Sequence, residues 1–149
     1  MKIKKLICFI NIFLFCILLS TANTFAVEGA KGIIKERMDK FKESKQLMKK
    51  INVGLQNDNF KVIEESAQML LLWSKEMPKF FPKGSDISPS EASSDIWLNP
   101  EGFNEAIKNF ELASLDLINQ SNTNDREKTI NAFRNLAGTC KGCHQKFRN

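Results

Sequence analysis

The 149-residue chain is poor in side chains that build catalytic and metal centres: it has one histidine, and two of its four cysteines, Cys8 and Cys16, sit in an apolar N-terminal stretch. Beyond that stretch only Cys140, Cys143 and His144 remain, short of the four Cys or His ligands of an ordinary structural zinc site unless a carboxylate completes the set. With one imidazole, and no nucleophile or carboxylate pair placed for hydrolysis, the chain does not read as an enzyme. It also lacks a long hydrophobic run. Leu6 to Leu19 is almost wholly apolar but falls short of the roughly 20 residues that span a bilayer. Nor is there a strong excess of charge: of 22 Lys+Arg, three (Lys2, Lys4 and Lys5) lie in the first 26 residues, which carry no acid, so the remainder has 19 basic against 17 acidic residues, or +2. Such a surface gives no argument for nucleic acid, and the run Lys42 to Lys50 reads as a solvated helix face.

The N-terminus reads as an export signal. A lysine-rich start, an apolar middle and the small residues of Thr24-Phe25-Ala26 predict a signal peptide over residues 1–26, cleaved after Ala26, with a single domain over 27–149. Cys16 follows Phe15 rather than a small residue, which argues against lipid attachment there. The expected location is the periplasm, with no stable membrane insertion after cleavage.

Within the domain, apolar residues recur at helical spacing in four segments. Ile34, Met38, Phe41, Met48 and Leu55 mark the first. Phe60, Ile63, Ala67, Leu70 and Leu71 mark the second, after a polar Gln56–Asn59 turn. Met77-Pro78 closes it, and Pro82 to Pro100 reads as a long irregular crossover. Asn99-Pro100-Glu101 supplies a cap, a proline at the first helical position and an acid in the first turn. Phe103, Ala106, Ile107, Phe110, Ala113 and Leu117 then carry the third helix. The fourth starts at Asn122–Asp125 and runs Ile130, Phe133, Ala137, Cys140, His144 and Phe147 along its inner face. The pattern predicts an all-α, antiparallel four-helix bundle with a long crossover between helices 2 and 3.

The last of these helices carries Cys140-Lys141-Gly142-Cys143-His144, the C-x-x-C-H signature of covalent haem c attachment. Each thiol can form a thioether with a haem vinyl group, and the adjacent imidazole can bind the iron. Other readings use the same residues. A thioredoxin-like C-x-x-C belongs at a helix start after a strand, and no strand precedes this one. A zinc site with a carboxylate ligand, or a plain disulfide in an oxidising compartment, also stays open. The Ile130-to-Phe147 stripe puts the attachment residues in line with core hydrophobics, so the haem is expected inside the bundle.

These features together resemble the cytochrome c′ family, the class II c-type cytochromes, over essentially all of residues 27–149. Cys140-Lys141-Gly142-Cys143-His144-Gln145-Lys146-Phe147-Arg148 is similar to the family's C-K-x-C-H-x-x-F/Y-R. Met77-Pro78-Lys79-Phe80-Phe81-Pro82 resembles its segment after the second helix, Asp95-Ile96-Trp97 its I-W motif, and Arg37-Met38-Asp39-Lys40-Phe41-Lys42 its R-x-x-x-φ-K pattern. The resemblance implies one haem c held by Cys140 and Cys143, with His144 as the axial ligand. By it Arg37 contacts a haem propionate, Phe41 covers the open coordination position, Arg148 lies near the proximal histidine, and Trp97 and Phe147 are cofactor-binding positions. Relatives with a sixth ligand carry Met where this chain has Phe41. A phenyl ring has no lone pair for iron, so the iron is expected to be five-coordinate. Met38, one turn back and about 60° around the helix, reaches the iron only if the helix rotates. The implied functions are electron transfer with an unidentified redox partner protein and binding of a small diatomic gas, notably nitric oxide or carbon monoxide. A homodimer through the first two helices is also implied, with Leu47, Ile51, Met69 and Trp73 as candidate contacts if they are not core.

Overall fold

A computed structural model describes residues 30–149. The expected signal peptide and its cleavage after Ala26 fall outside the described residues. Four long helices form the body: α1 Gly32–Gln56, α2 Phe60–Glu76, α3 Pro100–Asn122 and α4 Arg126–Phe147. Among the described residues there are no strands beyond one isolated bridge between Ala92 and Arg148. The expected all-α bundle is therefore the observed fold.

Local chemistry sets the helix ends. The side chain of Asn59 accepts from Val62 N (3.2 Å), Asn99 from Gly102 N (3.0 Å) and Asp125 from Lys128 N (3.0 Å), each satisfying one orphan amide of a first turn. Asp58 takes a left-handed φ of 51° between α1 and α2, a conformation that Asp tolerates better than most residues. That turn brings Asn59 N onto Gly54 O (2.9 Å). Gly54 is needed there, because a Cβ on it would lie 2.8 Å from Ile63 Cγ1 and 3.2 Å from the Asn59 carbonyl oxygen.

The bundle alternates direction, and its order follows from the contacts: α2 packs on α1 and α3, and α3 packs on α4. Fully buried Ile51, Ile63, Leu70, Leu117 and Leu136 supply one core residue or more from each helix. Burying a side chain of that size stabilises by about 1.5–3 kcal/mol. α1 and α4 touch each other far less than the other neighbours do. One side of the bundle is therefore splayed.

The crossover is more ordered than its composition suggests. It opens with a 3-10 turn, Met77–Phe80, and contains a single helical turn, Asp95–Leu98, where an irregular chain was expected. It is pinned to the end of α4 by Ser93 N donating to Phe147 O (3.0 Å) and Asn149 N donating to Glu91 O (2.9 Å).

Packing decides two points that the sequence reading had placed differently or left open. Leu47, Ile51 and Trp73, candidate dimer contacts, are core residues, and only Met69 of that set is exposed. The most buried line of α4 is Thr129, Ala132, Leu136 and Phe147, whereas Ile130, Phe133, Ala137 and Cys140 are half-buried and His144 is exposed. Apart from Phe147, the expected inner stripe thus lies on the flank of the helix beside its packed face. Helical periodicity identifies residues that share a side, but the packing of α3 decides which side is covered.

Candidate functional site

On α4, positions 140, 143 and 144 are three and four residues apart, so Cys140, Cys143 and His144 share one side of the helix. All three line a cleft of about 460 Å³, counting the part open to solvent. Phe41, Ser44 and Met48 of α1 face them, and Leu70 and Trp73 of α2, Met77 of the turn that follows it, and Ile107 and Phe110 of α3 close the back. The walls of the cleft are almost wholly apolar.

Burial pushes both thiols, Cys140 and Cys143, above the ordinary cysteine pKa, and they are not joined to each other. His144 shifts the other way: partial burial lowers its pKa, and the Arg148 charge adds to that, against an opposing pull from Glu91. Its imidazole is therefore neutral at neutral pH, with a lone pair available to a metal. Among the described residues no three His, Cys, Asp or Glu side chains converge on a common metal position. A carboxylate-completed zinc site has no assembled ligand set there.

Phe41 stands across the cleft from His144, with ring centroids 6.2 Å apart at 66°. It is held edge-on by Trp73 at 5.5 Å and Phe81 at 6.3 Å. Met38 is 44% exposed and is not part of the lining. The position opposite the imidazole thus presents a hydrocarbon ring.

The other expected site residues frame the cleft without lining it. Arg37 is buried, and Nη1 donates to Phe80 O (2.9 Å) and Ser85 Oγ (2.8 Å) while Nη2 donates to Ser85 O (2.6 Å) and Ser90 Oγ (2.7 Å). All its Nη hydrogens are engaged by the crossover, so only Nε is left for a propionate. Burial lowers its pKa, opposed by the charge of Asp86. Trp97 Nε1 donates to Phe81 O (3.0 Å). Phe147 packs edge-on against Phe103 at 5.3 Å. Arg148 is near His144 through its backbone, whose N–H donates to His144 O (3.2 Å). Its guanidinium turns outward to Glu91, with Nε donating at 2.7 Å and a second bond from Nη2.

Trp73 is the residue that sequence reasoning placed elsewhere. It lines the cleft, and its Nε1 is a buried donor with no acceptor among the described residues. An unpaired buried donor costs about 1–3 kcal/mol, which an acceptor atom on a group filling the cleft would remove. Met48, seven residues and two turns after Phe41, shared its helical phase and could have been placed in the lining on that basis. The residues fit a porphyrin: two thiols and an imidazole on one wall, apolar faces around them and an orphan donor. Cys140 and Cys143 would hold it by thioethers and His144 would bind its iron.

The family model for cytochrome c′ matches residues 32–148. The chain is 26% identical over 133 residues to a cytochrome c′ of Rhodospirillum rubrum, covering 87% of this chain and 90% of that protein. Among solved structures, cytochrome c′ from Rubrivivax gelatinosus aligns with a TM-score of 0.70 at 26% identity, covering 78% of this chain and 94% of that one. A cytochrome c′ described as having an unusual ligand-controlled dimer dissociation aligns with a TM-score of 0.73 at 22% identity, covering 81% and 98% respectively.

Proposed function

The chain belongs to the cytochrome c′ family, haem c proteins, and from that premise we propose that it is a periplasmic electron-transfer protein whose iron, bound by His144 alone among its side chains, leaves a distal position for nitric oxide or carbon monoxide. The observation that carries this reading is Phe41, a ring without a lone pair, facing His144 across an apolar cleft.

Haem c supplies an Fe(III)/Fe(II) couple and, when ferrous, affinity for diatomic gases. The protein residues do the rest. Cys140 and Cys143 fix the group to the last turns of α4. His144, its pKa lowered by partial burial and by Arg148, would offer nitrogen to the metal. Phe41, held edge-on by Trp73 and Phe81, crowds the opposite wall, which would favour a two-atom ligand over a larger one. The leader-like residues 1–26 support export, and the family resemblance supports a homodimer through α1 and α2, where Met38, Val53, Met69 and Leu72 are exposed. Sedimentation of the haem-loaded protein tests the dimer.

Acid-acetone extraction followed by absorption spectroscopy tests the central reading. Protein made with haem-maturation machinery should retain its haem through extraction. Cys140→Ala/Cys143→Ala should release it. The reduced protein should be high-spin and should bind carbon monoxide without displacing a protein ligand. Complete extraction from the wild type, or a low-spin reduced spectrum with a methionine–iron band in the oxidised form, overturns the reading.

A further inference from the structure

Arg37 is the only charged side chain among the buried residues described, and no carboxylate of the described residues is hydrogen-bonded to it. Burying a guanidinium costs several kcal/mol unless its donors are satisfied. Here the crossover satisfies them, through Phe80 O, Ser85 O, Ser85 Oγ and Ser90 Oγ, all between 2.6 and 2.9 Å. These bonds join the start of α1 to residues 43–53 positions later in the chain. The same guanidinium lies over the ring of Phe81, with Cζ 4.4 Å from its centroid. Phe81 is wedged between Phe41 (6.3 Å) and Phe103 (4.9 Å). Phe41 is one turn after Arg37 on the same side of α1.

We propose that Arg37 is a positioning residue that holds Phe41 over the distal position by latching the crossover, through Phe81, against α1. The proposal rests on the open-site reading above and deepens it: the strength of this latch sets how fast a diatomic ligand enters. The planar guanidinium fork suits the job because its donors span acceptors on Phe80, Ser85 and Ser90 at once. A lysine ammonium, a point donor, cannot bridge that set. Arg37→Lys should therefore behave much as Arg37→Gln does.

The test measures carbon monoxide association after flash photolysis in the reduced, haem-loaded protein. Arg37→Gln and Phe81→Leu should each speed association about tenfold, and the double variant should be no faster than the quicker single one, because substitutions on one path are not additive. Ser85→Ala/Ser90→Ala removes two hydroxyl acceptors, leaves the arginine in place and should speed association in the same direction. If Arg37→Gln does not accumulate, this serine pair decides in its place, and an unchanged rate overturns the latch. Additive effects, or a change with Arg37→Gln and none with Phe81→Leu, mean that Arg37 acts on the cofactor directly and likewise overturn it. Hydrogen exchange gives a readout without gas. Loosening by Arg37→Gln should reach both residues 80–90 and the turn of α1 around Phe41, and loosening confined to the crossover overturns the proposal. A wild type that refuses carbon monoxide refutes the open site and leaves exchange to decide the latch.

Discussion

Phe41→Ala tests packing and ligand access at once. The ring is half-buried and edge-on to Trp73 at 5.5 Å, Phe81 at 6.3 Å and His144 at 6.2 Å. A fully buried Phe→Ala costs about 3–5 kcal/mol, and a partly exposed ring belongs at the lower end, about 3 kcal/mol. Each aromatic pair lost contributes about 0.5–1.5 kcal/mol beyond the area term, so the Trp73 and Phe81 contacts alone can supply much of that. For a domain of this size the midpoint of thermal unfolding should fall by about 10 °C. The assay is circular dichroism at the helical band on the haem-loaded protein, together with carbon monoxide association after reduction. Association should quicken as the cover is removed, and a tenfold gain corresponds to about 1.4 kcal/mol off the barrier. Phe41→Met should act in the opposite sense by offering a thioether and moving the iron toward low spin. An Ala variant that melts with the wild type and binds gas at the same rate refutes the placement of the ring over the distal position.

Three other outcomes follow from the frame. Gly54→Ala forces a Cβ to 2.8 Å from Ile63 Cγ1 and 3.2 Å from the Asn59 carbonyl oxygen; overpacking of this kind costs about 1–3 kcal/mol, read as a lower denaturant midpoint at unchanged slope. Asn99→Ala removes the acceptor for Gly102 N and should cost about 1 kcal/mol of stability, with faster hydrogen exchange confined to the first turn of α3. Asp125 is held below the ordinary carboxylate pKa, first by the Lys128 backbone N–H and then by its side chain. Its lowered folded value means that the cap contributes fully above the unfolded pKa and loses its effect as pH falls through the folded one. Exchange in the first turn of α4 should therefore accelerate only below the usual carboxylate range, and Asp125→Asn should remove that acid step.

Features that depend on neighbours along the chain were legible in the sequence. Cys140, Cys143 and His144 are close along the chain whatever the fold, so spacing alone put them on one side of one helix, and all three line the cleft. The caps at Asn99 and Asp125 were legible too, because a capping side chain bonds an amide only three residues on. The four helices followed from periodicity. What each side of a helix meets was settled only by packing. Apolar residues against another helix and apolar residues lining a cleft give the same pattern, so the rotation of α4 and the placing of Trp73, Leu47 and Ile51 depended on how α2 and α3 come together. Arg37 is the clearest case. Its partners lie 43–53 residues away, and a buried arginine is tolerated only where such distant acceptors gather around it.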